Sequence, residues 1–183
     1  MKWVWIALAV KRLLPLALLL AGCGASPATR VIEPGASLIP VTTSGSAELL
    51  SPLDPLNPCE LLTPAERSEA GLTSLGKAKP IGPTRACDWT ETGKFGVTIT
   101  LDGRNGLADL QLAKKTAKNT KVGSHQAIEA ADRKAADGTC AVLLGVGDSA
   151  SVQVDVSNTT FSDTGLACER AATVAELIEP KLP

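Results

Sequence analysis

The sequence predicts an α+β fold, an antiparallel sheet with helices packed on one face, stapled by two disulfides. Three observations carry this expectation. Apolar and polar residues alternate at Phe95, Val97, Ile99 and Leu101, and again at Val152, Val154 and Val156, which is the period of half-buried strands. Stretches with helical spacing separate those strands, the pattern of strand runs with segregated helices. Setting Cys23 aside, four cysteines remain (Cys59, Cys87, Cys140 and Cys168), and an even count in an exported chain favours disulfides.

The export signal comes first along the chain. Residues 1–22 carry Lys2, Lys11 and Arg12, then the apolar run Leu13 to Leu20, and end in the small residues Ala21 and Gly22. A charged start, a short apolar stretch and small residues before a cut mark a secretory signal. A transmembrane helix would need about 20 uninterrupted apolar residues, and Lys11-Arg12 interrupts this one. Trp3 to Val10 is apolar for a charged n-region, which a start codon further downstream would explain. Leu20-Ala21-Gly22-Cys23 fits a lipobox. The Cys23 thiol would take a diacylglycerol as a thioether, and cleavage would leave Cys23 as the first mature residue. Two acyl chains meet the need for a second anchoring signal, since one chain binds a membrane only marginally. The expected location is the cell membrane, lipid-anchored on the extracytoplasmic face.

Residues 23–56 read as a linker. Pro27, Pro34, Pro40, Pro52 and Pro55 stand among Ser, Thr and Gly, and no strand or helix period persists. Such a length spans roughly 35 Å as a coil and near 100 Å if polyproline-like. The folded domain is expected over 57–183. Thr63-Pro64-Ala65-Glu66 is a capping box with proline at the first helical position, predicting a helix to about Ala70 that Gly71 stops. Cys87-Asp88-Trp89 and Phe95–Leu101 predict a hairpin around Glu91-Thr92-Gly93-Lys94. Leu107, Leu110, Ala113 and Ala117 fall at helical spacing and predict a second helix over 107–118. Strands follow over Gln126–Asp132, Ala141–Val146 and Val152–Val156, the last two joined by a Gly147-Asp148 turn. Cys168, Ala171, Ala172, Ala175 and Ile178 stripe a closing helix that Pro180 ends.

Of the three possible pairings, Cys59–Cys87 and Cys140–Cys168 are favoured, because each pair is 28 residues apart and encloses similar elements. Loops of that size contribute about 3–4 kcal/mol each in the chain-entropy model. Zinc is disfavoured by the absence of close C-x-x-C spacing, and a redox role by the same absence.

Taken together, the lipobox, the Pro/Ser/Thr linker, Asn57-Pro58-Cys59-Glu60-Leu61-Leu62-Thr63-Pro64, Cys87-Asp88-Trp89, Gly145-Val146-Gly147-Asp148 and the late Cys168 helix resemble a known group. It is an actinobacterial lipoprotein family catalogued only as a domain of unknown function. The resemblance covers about residues 57–182. It implies an envelope lipoprotein with two disulfides and brings no catalytic residues with it.

Charge narrows the partners. Losing Lys2, Lys11 and Arg12 with the signal leaves 15 basic against 19 acidic residues, a net charge of −4 with His125 neutral. Nucleic acid, which needs a basic face, is therefore not expected, and electrostatic docking on anionic lipid is disfavoured on the same count. The chain has no Tyr, two Phe and three Trp, with Trp3 and Trp5 in the signal, so aromatic platforms are scarce.

No catalytic set emerges. Ser149 in Gly147-Asp148-Ser149-Ala150 would need a histidine base, and His125, the one histidine, reads as a satisfied surface residue. Asp102-Gly103-Arg104-Asn105-Gly106 departs from a calcium loop at its third position and lacks the spaced Glu. Asp88 and Glu91 are the remaining candidate carboxylate pair, with solvated strand-edge charges as the plain alternative. The expected function is a non-enzymatic, membrane-tethered binding or interaction module without cofactor or metal. Its partner would be an envelope protein, or a small ligand if the domain is instead a carrier of an apolar or glycan molecule. A hydrolase using Ser149 or acidic residues ranks last.

Overall fold

The computed structural model describes residues 50–183. The expected signal, Cys23 and residues 24–49 of the expected linker lie outside the described residues. Within them run α1 (Pro64–Glu69), β1 (Lys77–Ile81), β2 (Thr84–Glu91), β3 (Phe95–Asp102), β4 (Ala117–Val122), β5 (His125–Ala130), β6 (Thr139–Val146), β7 (Ala150–Asn158) and α2 (Thr164–Ile178). Short 3-10 turns occupy Pro58–Glu60, Leu107–Asp109 and Glu179–Lys181. The strands form one sheet in the order β1-β2-β3-β7-β6-β5-β4, antiparallel at every step. Two meanders, β1–β3 and β4–β7, thus meet along the β3–β7 pair.

This corrects the expected fold class. In place of helices layered on one face of a sheet, the domain is mostly a seven-stranded antiparallel sheet with one long C-terminal helix. α1 forms from its capping box, with Thr63 accepting from the Glu66 N–H and Glu66 accepting from the Thr63 N–H, but it buries none of its residues. Gly71, at φ +74°, ends it, and the Leu72 N–H returns to Arg67 O at 2.7 Å. The expected helix over 107–118 is instead the 3-10 turn and, further on, β4. Its stripe supplies only two bulky apolar residues, too little to hold a helix against a sheet. Residues 117–122 gain a ladder to β5 instead, and pairing overrides local spacing.

The core fills one face of the sheet. The row Trp89, Val97, Val156 and Cys140 crosses four strands, and Cys87, Ile99, Val154 and Val142 lie beside it. α2 lies against β6 and β7 and contributes buried Ala167, Ala171, Val174, Ala175 and Ile178. The disulfides Cys59–Cys87 and Cys140–Cys168 enter this core, joining the Pro58–Glu60 turn to β2 and β6 to α2. Residues ahead of the expected domain start are also packed. Leu53 is fully buried, and Arg85 donates to Leu53 O at 2.7 Å and Leu56 O at 2.6 Å.

Candidate functional site

The opposite face of the sheet is polar, because the residues alternating with the core ones point there. One row runs straight across all seven strands: Lys77, Asp88, Thr98, Asp155, Ala141, Ala130 and Ala117. The next row is Lys79, Ala86, Thr100, Gln153, Leu143, Ile128 and Asn119. Side chains are long on the β2–β3–β7 half of the first row and short beyond it. The step leaves a depression of about 330 Å³, lined by Asp88, Gly96, Thr98, Ala141, Asp155 and Ser157 among others.

Asp155 dominates this depression. Its only side-chain hydrogen-bond partner among the described residues is Gln153, two residues along the same strand, whose Nε2 donates to both carboxylate oxygens at 2.7 and 2.9 Å. Burial pushes its carboxyl above the usual range, and the Gln153 hydrogen bond opposes that rise. Thr98, directly opposite on β3, donates away from it to Asp88 Oδ1 at 2.7 Å. Asp88 also lies 3.8 Å from Lys79 Nζ. The strands of Asp88 and Asp155 flank β3, so their backbones stand roughly 10 Å apart. The surface is thus rich in acceptors, with two carboxylates and several hydroxyls around a floor of glycine and alanine. It suits a ligand that presents hydroxyl, amide or ammonium donors.

The family follows from the whole chain. A family model described as "Protein of unknown function (DUF3558)" matches residues 18–181. The chain belongs to that family. No curated protein and no solved structure matches it. In this DUF3558 domain the remaining candidate residues are placed as follows.

Asp88 and Glu91 do not converge, because positions three apart on a strand face opposite ways. Glu91 is buried on the core side, accepting from Thr73 N, Thr73 Oγ1 and Ser74 N at 2.7 Å each. The Ser74 N–H and the Thr73 hydroxyl, outweighing burial, hold its carboxyl down at about 2. It clamps the chain between α1 and β1. Ser149 is exposed in the β6–β7 turn. His125 departs from the expected surface residue: its side chain is only 13% exposed, with Nδ1 2.8 Å from Glu179 Oε1 and Nε2 3.2 Å from Pro183 O. Ser124 donates from N and Oγ to the same Glu179 oxygen, each at 2.9 Å. Serine and histidine therefore share one carboxylate oxygen and fasten the C-terminal turn to the β4–β5 hairpin. A Ser–His–acid relay would instead place the serine on the second ring nitrogen.

Asp102 caps its own loop, accepting from the N–H groups of Arg104 and Asn105 and from Asn105 Nδ2. No group of three or more His, Cys, Asp or Glu side chains among the described residues is arranged to hold a metal ion. No helix among them is long and apolar enough to cross a membrane. Asp155 escaped the sequence reading. Its signal was a carboxylate inside the Val152-Val154-Val156 alternation, and its setting depends on β3 and β7 being neighbours.

Proposed function

We propose that the chain is a cell-envelope lipoprotein, held by acyl chains on Cys23 at the extracytoplasmic face of the cell membrane. Its folded domain serves there as a non-enzymatic binding or interaction module. The observation that carries the binding role is the depression on the polar sheet face, where Asp155 is half-buried with one side-chain donor. A partly desolvated carboxylate costs the fold stability, and a binding role accounts for keeping it. A carrier role is the second reading, and the acceptor-rich lining favours a hydroxyl-bearing glycan over an apolar ligand. The space between the sheet and α2, where an apolar ligand would sit, is occupied by core side chains.

Two variants test this reading. Asp155→Asn should leave stability within about 1 kcal/mol of wild type or raise it, since the substitution removes a desolvated charge. The same variant should lose at least tenfold in partner recovery when the anchored protein is cross-linked in native membranes and analysed by mass spectrometry. A stability loss above about 2 kcal/mol in urea denaturation would make Asp155 a structural residue and end the binding assignment. Cys23→Ser should abolish palmitate labelling and processing while leaving the circular dichroism of the domain unchanged. Persistent labelling in that variant would refute the anchor.

A further inference from the structure

We propose that the β4 edge of the sheet docks on anionic phospholipid headgroups of the membrane that carries the lipid anchor. The inference rests on that anchoring only for the choice of lipid as the anion. Lys114, Lys115, Lys118 and Lys121 lie on and just before β4, and Lys134 lies on the adjoining 131–137 loop. All five are exposed, and none makes an ion pair among the described residues. The Ala131 N–H donates to Thr116 O at 2.9 Å, tying that loop to the approach to β4. Lys115, Lys118 and Lys134 share one open groove of about 630 Å³.

The two carboxylates of this groove do little to cancel the charge. Glu129 is taken by Arg133 at 2.7 Å, and Asp132 accepts from the N–H groups of Lys134 and Ala135. A chain with an acidic net charge thus presents a local surplus of about four positive charges on one edge. Net charge argues against docking only when charge is spread evenly, because fields decay within about 8 Å at physiological salt.

Position favours a membrane over other polyanions. Residues 50–56 sit against Arg85 on β2, near the opposite end of the strand order. The 26 residues between Cys23 and Leu50 reach at most roughly 90 Å, and the seven-stranded sheet is roughly 29 Å wide. The basic edge can therefore reach the surface that holds the acyl chains.

Sedimentation of the mature chain carrying Cys23→Ser with phosphatidylglycerol-containing vesicles tests this without the anchor. Each lysine near an anionic surface adds about 1 kcal/mol, or roughly fivefold in binding. Lys115→Glu/Lys118→Glu/Lys121→Glu should weaken binding at least tenfold. The charge-matched Lys77→Glu/Lys94→Glu/Arg104→Glu should bind like the parent. Binding should vanish on phosphatidylcholine vesicles and fall steeply with added salt. Absent binding by the parent, equal losses in both triple variants, or tighter binding to a single-stranded DNA oligonucleotide than to the vesicles would each overturn the proposal. Failure of the Cys23 anchor would show in palmitate labelling and leave this result unaffected.

Discussion

Trp89→Ala is expected to destabilise the domain by about 3–5 kcal/mol, the range for emptying a buried tryptophan site. The indole is completely buried on the core side of β2, opposite Val97 on β3. The segment leading into β1 crosses directly over it. A Cβ placed on Gly76 would stand 2.7 Å from Trp89 Cε2 and 2.6 Å from Cys87 Sγ, so that backbone rests on the ring and the disulfide at once. Truncation therefore removes contacts to β1's approach, the disulfide and the central strands together, and a glycine above the gap has no side chain to refill it. The indole Nε1 is buried without a hydrogen-bond partner. Its loss carries no unsatisfied acceptor with it, and the cavity term decides the cost. Trp89→Phe should consequently cost less than half as much. Urea denaturation followed by far-ultraviolet circular dichroism separates the two variants. A Trp89→Ala cost below about 1.5 kcal/mol would mean that the neighbouring strands collapse into the gap.

The same region shows what could be read from residues alone. β2, β3, β6 and β7 are central strands, buried on one face, and their alternation is a record of that environment. α1 announces itself by Thr63 and Glu66 because capping is local chemistry. β1 and β4 are edges. Lys77-Ala78-Lys79-Pro80-Ile81 is exposed throughout and has no apolar period, so it is a strand only because β2 offers a ladder. Lysine and proline there fit an edge defended against further pairing, a cue of composition rather than period. β4 begins inside the stretch expected as a helix over 107–118, has no apolar period of its own, and takes its strand state from β5. The site divides the same way. Period two already separates Asp88 from Glu91, since they face opposite sides of β2. The row joining Asp88, Thr98 and Asp155 exists only because β7 returns beside β3, a non-local pairing that no local pattern encodes.

Removing the second disulfide, as Cys140→Ala/Cys168→Ala, is expected to cost about 3–4 kcal/mol, the chain-entropy value for its loop. The loss should fall unevenly on the structure. α2 has a shallow apolar face, with alanine at 167, 171 and 175 and larger side chains at Val174 and Ile178. Small side chains bury little area, and burial stabilises by roughly 25 cal/mol per Å², so the covalent link carries an unusual share of the helix's attachment. Arg170 and Asn158 make the polar contacts near its start. Arg170 donates to Asn158 at 2.5 Å and lies 4.0 Å over the Phe95 ring, while Asn158 donates to Ser162 O and Asp163 O. A cation over this buried ring adds about 1–2 kcal/mol and each hydrogen bond about 1 kcal/mol. They should orient the first turns of the helix without replacing the disulfide. Hydrogen exchange in the double variant should therefore lose protection first along α2, while β3 and β7 keep theirs. Uniform loss across the sheet would place α2 inside one cooperative unit with it. Unchanged protection along α2, with a cost below about 1 kcal/mol, would show that the alanine face suffices.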